Sequence, residues 1–163
     1  MIITTGNTTT RTVYYRGMNG DKGTSGTVYV TDLDGNAHVD DPRLSGRPIQ
    51  VMRMTGPTGA ELETQSFTYW TGRTSDNGVV NDRDAYYARP ATERLRAVKK
   101  DGTYRTTETQ TSYDATYGVP TSVLDKGDTA VSGDDSCTTT LYAVNAGSWL
   151  VVPARTEERS GSC

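Results

Sequence analysis

Residues 91–114 read ATERLRAVKKDGTYRTTETQTSYD, two extended runs on either side of Asp101-Gly102. An Asp-Gly pair between alternating runs marks a tight turn, here expected as type I′, so the segment reads as a long antiparallel hairpin. In the first arm Leu95 and Ala97 alternate with Arg94, Arg96 and Val98. In the second, Tyr104, Thr106, Glu108 and Gln110 face one way and Arg105, Thr107, Thr109 and Thr111 the other. Arms this polar cannot bury enough apolar area to stand alone, because an isolated two-stranded hairpin is marginal in water. The hairpin therefore requires other strands along its edges.

The rest of the chain carries the same signature. Only 33% of its 163 residues are hydrophobic, Thr outnumbers every other residue type, and Phe67 is the single phenylalanine. β-Branched and tyrosine side chains suit a pleated surface, whereas apolar residues at three- and four-residue spacing are scarce. Strands are expected at Thr8 to Arg16, Thr27 to Thr31, Ile49 to Met54 and Leu62 to Trp70, the last two flanking the turn TGPTGA. The segment DNGVVNDRDAYYARP, residues 76–90, follows neither period and reads as a loop. In NAGSWLVVP, Asn145 is placed to cap one helical turn, with Trp149 and Leu150 packing inward and Pro153 stopping it. The expected fold is all-β: antiparallel hairpins forming a long twisted or spiralling sheet, with at most one short helical turn near 145–152. It is read as one module over 1–163, with hairpin-scale units at about 8–39, 49–70, 91–127 and 137–160. Ser25 to Val39 and Pro120 to Val131 share a valine, an aspartate and a turn glycine in the same order, which suggests a hairpin-scale repeat.

Charge and motifs exclude several functions. A net charge of −3 with scattered Lys and Arg offers no basic block for phosphates, so nucleic acid is not an expected partner. The first residues, MIITTGNTTT, show no signal peptide, and no apolar run approaches the roughly 18 residues of a membrane span. Cys137 and Cys163 match no zinc spacing, and the sole histidine, His38, is remote in sequence. The two cysteines flank a compact terminal unit in a chain otherwise free of thiols, which leaves a disulfide or two free thiols; a bridge would imply an oxidising compartment.

Carboxylates cluster at Asp32, Asp34, Asp40 and Asp41, at Asp76, Asp82 and Asp84, and at Asp125, Asp128, Asp134 and Asp135. The turn DLDGN superficially resembles a calcium loop through Asp32, Asp34 and Asn36, and Asp125 with Asp128 is a second such place. An EF-hand, however, needs Gly at position six and Glu at twelve, where this chain has Gly35 at four and Arg43 at twelve. The simpler reading is that Asp, Asn and Gly build the turns, and no metal or cofactor is expected. A Ser-His-Asp triad has only His38 for its base and no strained serine elbow, and no phosphate-binding loop is present. The chain is expected not to be an enzyme.

The stretch SYDATYGVPTSVLDKGDTA, from Ser112, resembles the YD repeat of RHS-repeat proteins. Tyr113 and Asp114 open the motif, Gly118 is its turn glycine, Thr121-Ser122-Val123 its strand, and Asp125 with Gly127 its closing turn. The glycine comes one residue late, and Val119 stands where a basic residue often follows. The segment VTDLDGNAHV looks like a weaker copy, and the continuation from Asp134 to Cys163 resembles the cysteine-flanked stretch of actinobacterial members. That resemblance implies a structural β-repeat segment of a secreted or cell-surface shell. Such shells encapsulate a toxin cargo in insecticidal toxin complexes and bacterial polymorphic toxins, and teneurins use a similar barrel in adhesion. The partners it implies are neighbouring RHS repeats or a toxin cargo, with self-association through strand edges. The alternative is a secreted carbohydrate- or ligand-binding β domain using Tyr14, Tyr15, Tyr69, Trp70, Tyr86 and Tyr87 as stacking surfaces.

Overall fold

The structure is a computed structural model and describes residues 1–21, 23, 25–74 and 84–163. It is almost entirely antiparallel β, the class expected from composition. The strands are β1 (Ile2–Thr5), β2 (Thr8–Tyr14), β3 (Tyr29–Thr31), β4 (Ala37–Val39), β5 (Pro48–Thr55) and β6 (Glu61–Arg73). They continue with β7 (Tyr86–Val98), β8 (Tyr104–Tyr113), β9 (Pro120–Asp128), β10 (Ser136–Asn145) and β11 (Leu150–Ser160). Nine of them form one open sheet in the order β1-β2-β5-β6-β7-β8-β9-β10-β11, and β3 pairs only with β4. Two three-residue 3-10 turns, Pro42–Leu44 and Ala146–Ser148, are the only helical pieces among the described residues. None is long or apolar enough to cross a membrane.

Several local expectations are corrected. Segment 8–39 does not fold as one hairpin: β2 pairs with β1 and β5, while β3 and β4 form a separate ladder. Strand β1 was not read from sequence because Ile2–Thr5 is short and fully exposed, held by register with Thr8 to Arg11 rather than by burial. Tyr86 to Pro90, expected in a loop, begin β7; pairing supplies the order that periodicity did not signal. The turn at Asp101-Gly102 is not type I′, which needs positive φ at both central residues. Gly102 alone has it, at 81°, and the bonds Gly102 N–H to Lys99 O and Lys99 N–H to Thr103 O close a three-residue connection. The short turn after Asn145 is present, yet Asn145 makes no side-chain cap. Trp149 and Leu150 are 85% and 53% exposed rather than packed, and Pro153 lies inside β11.

The chain divides into two compact units. The first comprises Met1–Tyr69 and Glu93–Thr106, the second Trp70–Thr92 and Thr107–Cys163. The first has a small core of Tyr15, Leu44, Ile49 and Met54, joined by buried Thr9, Thr12, Asp40, Gln50 and Thr64. These polar groups are satisfied: Gln50 accepts from Leu33 N–H at 2.7 Å and donates to Asp34 at 2.6 Å, and Thr64 donates to Glu61 at 2.6 Å. In the second unit the buried members among the described residues are Cys137 and Glu108, with the glycines Gly72 and Gly118. Cys137 and Cys163 form a disulfide with Cα atoms 5.2 Å apart, so β10 is covalently tied to the residues just beyond β11.

Candidate functional site: a repeated Tyr-Pro clasp and the edge it leaves open

Asp114 and Gly118, which resemble part of a YD repeat, build a turn after Tyr113. Strand β8 ends at Tyr113, and Asp114 then receives Thr116 N–H at 2.9 Å and Tyr117 N–H at 2.7 Å on one carboxylate oxygen. Asp114 N–H donates to Val119 O and Gly118 N–H to Asp114 O, closing the reversal into β9. Gly118 sits at φ 65°, and a Cβ there would meet the Tyr87 ring at 2.7 Å, so both conformation and space demand glycine. Asp125 and Gly127, expected to close the motif, lie within β9, with Gly127 N–H donating to Asp125 at 2.9 Å. The chain actually turns after Asp128, whose carbonyl accepts Val131 N–H. An Asx bond needs only two residues of spacing, and that pattern occurs in strand as well as turn.

Tyr113 does more than open a motif. Its hydroxyl donates to Pro90 O at 2.7 Å, and its ring stacks on Trp70 with centroids 5.2 Å apart. The same bond recurs twice: Tyr69 donates to Pro48 O at 2.8 Å and Tyr142 to Pro120 O at 2.9 Å. The partners lie 21, 23 and 22 residues apart in sequence. Each clasp joins the two arms of one hairpin, β5 to β6, β7 to β8 and β9 to β10. A second recurrence accompanies it: Tyr14, Tyr113 and Tyr142 each stand opposite a proline of the next strand, Pro48, Pro120 and Pro153. A register irregularity directly precedes each of these tyrosines, after Val13, Ser112 and Leu141. Proline has no N–H, so at these positions it costs no ladder bond to its neighbour while its carbonyl is free to face the other way. This repeat was missed in the sequence, where Ser25 to Val39 and Pro120 to Val131 drew attention instead. The usable signal was the near-constant spacing from a proline in one strand to a tyrosine in the next Thr-rich run.

The candidate aromatic surface does not assemble. Tyr69 and Trp70 are consecutive on β6 and face opposite sides of the sheet. Burial, opposed by the Arg47 charge, pushes the Tyr69 phenol up to about 12, in keeping with a hydroxyl spent as a donor. Trp70 lies over Gly72 and against Tyr113. Tyr87, 37% exposed, covers Gly118 and carries Arg89 5.2 Å above its ring, and Tyr86 is exposed. Tyr15 is buried, edge-on to Tyr69 and His38, whereas Tyr14 lines an open groove of about 560 Å³ with Arg16 and Tyr29.

The carboxylates are likewise engaged. Asp32 accepts Asp34 N–H and Asn36 N–H on one oxygen and contacts His38 Nε2 at 2.9 Å with the other. Burial would raise its pKa, but these bonds from His38 and Asn36 hold it below the usual carboxylate range. Asp34 meets Gln50 and Arg96, while Asp128 caps Ala130 N–H. Asp40 is fully buried and receives Arg16 N–H at 2.6 Å, Gly17 N–H at 2.9 Å and Arg16 Nε at 3.1 Å. Desolvation there is outweighed by backbone donors and the Arg16 charge, which keep the group ionised at low pH. Asp41 pairs with Arg43, Asp84 with Arg73, and Asp134 accepts Asp128 N–H; Asp76 and Asp82 lie outside the described residues. Among the described residues no group of three or more His, Cys, Asp or Glu is placed to hold a metal. Comparison of the chain with protein families, with curated proteins and with solved structures returned no match.

Proposed function

We propose that the chain is a structural β-repeat segment of RHS type, part of a secreted or surface shell, and carries no catalytic activity of its own. The observation that supports this reading most directly is the thrice-repeated Tyr-Pro clasp in an open sheet whose second unit has almost no core. Repeats that bury little by themselves gain their stability from stacking, so a solitary block of them is expected to be incomplete. The disulfide is compatible with an extracellular setting, where oxidised cysteines persist. In this reading the neighbouring repeats, or a toxin cargo, are the partners, and the edges of the sheet are where they meet the chain.

Sedimentation velocity over a range of concentrations tests the proposal. The isolated chain is expected to self-associate or to unfold at low denaturant, because unpaired strand edges attract other strands. A compact monomer of high stability would overturn it. Specific glycan binding that is lost in Trp70→Ala would instead make the chain a carbohydrate-binding domain.

A further inference from the structure

Strand β11 is the end of the sheet, and it repeats the geometry of an interior strand. Pro48 and Pro120 each lie opposite a tyrosine of the preceding strand, Tyr14 and Tyr113, and each gives its carbonyl to a tyrosine hydroxyl from the strand on its other side, Tyr69 and Tyr142. Pro153 has the first half of this arrangement: it lies opposite Tyr142, with the same register irregularity just before that tyrosine. It is exposed, and the sheet stops before any strand that would complete the second half. We infer that β11 is an acceptor edge for one further antiparallel strand, a Thr-rich strand of a following repeat whose tyrosine hydroxyl donates to Pro153 O.

The occupant follows from the alternation of strand types. From β5 onward, strands opening on or near a proline alternate with strands bearing a clasp tyrosine, and β11 is of the proline kind. Among the described residues, a second copy of this chain offers β1 and β11 as edges of its nine-stranded sheet, and β3 and β4 as edges of its separate ladder. Ile2–Thr5, Leu150–Ser160 and Ala37–Val39 contain no tyrosine, and Tyr29 stands on a strand of only three residues, too short to lie along the eleven of β11. The disulfide holds the far end of β11 against β10, where Ser136 and Ser160 are in register, so the edge is presented as a fixed strand. Strand addition to such an edge gains main-chain bonds for affinity, with the side chain at the clasp position setting register. The inference rests on the structural-repeat reading and names the partner at one of its edges.

The test uses the intact oxidised chain and a synthetic peptide with the sequence of residues 104–115, which contains the clasp strand β8 and no cysteine. Titration followed by backbone NMR is expected to move amide signals of Leu150–Ser160 saturably. The Tyr113→Phe peptide is expected to bind about 3- to 10-fold more weakly, the range for one lost hydrogen bond. Equal affinity of the two peptides would overturn the clasp, as would perturbation centred on β1. Failure of both peptides to bind would overturn β11 as an acceptor; concentration-dependent association of the intact chain in that case leaves the structural-repeat reading standing.

Discussion

The two units reach order by different routes. In the first, Ile49, Met54, Leu44 and Tyr15 are buried, and the buried polar side chains around them are hydrogen-bonded. In the second, Cys137 is the lone buried hydrophobic side chain among those described, and order comes from a disulfide, two clasps, a Trp70–Tyr113 stack and the Lys126–Glu108 pair at 2.8 Å. Burial is non-directional and resists local change until a cavity is opened. Clasps and crosslinks act at single points, so removing one is felt mainly where it sits.

The largest expected effect breaks the first unit alone. Ile49 is 1% exposed, and Ile49→Ala removes three carbons from a core with few other members. A loss of about 3–4 kcal/mol is expected, from lost transfer energy and the residual cavity. Hydrogen exchange should show lost protection in β2 and β5, with β10 and β11 retaining theirs. Equal loss in both units would mean that they share one cooperative transition.

The complementary experiment removes the crosslink. Cys137→Ser with Cys163→Ser opens a loop of sequence separation 26, and the chain-entropy argument gives about 3.5 kcal/mol. Deprotection should be confined to β9, β10 and β11, leaving Ile49 and Met54 as in the parent. Were the protein indifferent to reduction, the second unit would hold by its clasps alone, and the contrast between the units would narrow.

Acid separates them by charge. Asp32, Asp40 and Asp41 all have carboxyl pKa values held below the usual range. Desolvation opposes the shift most strongly at Asp32 and Asp40, whereas the Arg43 side chain is the main cause at Asp41. A group whose folded pKa is depressed stabilises the fold above its unfolded pKa, near 4, and loses that contribution as pH falls through the folded value. All three lie in the first unit, which is therefore expected to lose its Tyr15 and Ile49 NMR signals progressively below about pH 4. Asp40→Asn should flatten that dependence; an unchanged profile would show that the buried carboxylate is not what acid attacks.

How far this was legible in the sequence depends on whether the signal was local. The all-β class followed from Thr, Tyr and Gly content, and the hairpins around Gly59 and Gly102 from their turn residues. Asp114 and Gly118 were legible as a bend because both act through bonds within five residues. Strand β1, the start of β7 and the outward-facing Trp149 were not, since pairing and tertiary room decide them. The clasp was hidden for the same reason: Pro48 and Tyr69 are ordinary residues until the ladder brings them together.

The smallest expected effect is also the sharpest on the comparison. Tyr69→Phe and Tyr142→Phe delete the same hydroxyl from the same bond, one partly buried in the first unit and the other exposed in the second. Deleting the Tyr69 hydroxyl leaves Pro48 O short of a partner where water enters poorly, at about 1 kcal/mol, while water replaces the donor at Pro120 O for about 0.5 kcal/mol or less. The Tyr69 phenol also has a raised pKa, so its contribution is complete below pH 10 and fades as pH rises toward about 12. Urea midpoints of the two variants at pH 7 should differ in that order, and at pH 11.5 the parent should fall toward Tyr69→Phe. A reversed order would mean that the exposed clasp, with little core beside it, carries more of its unit's stability than the half-buried one.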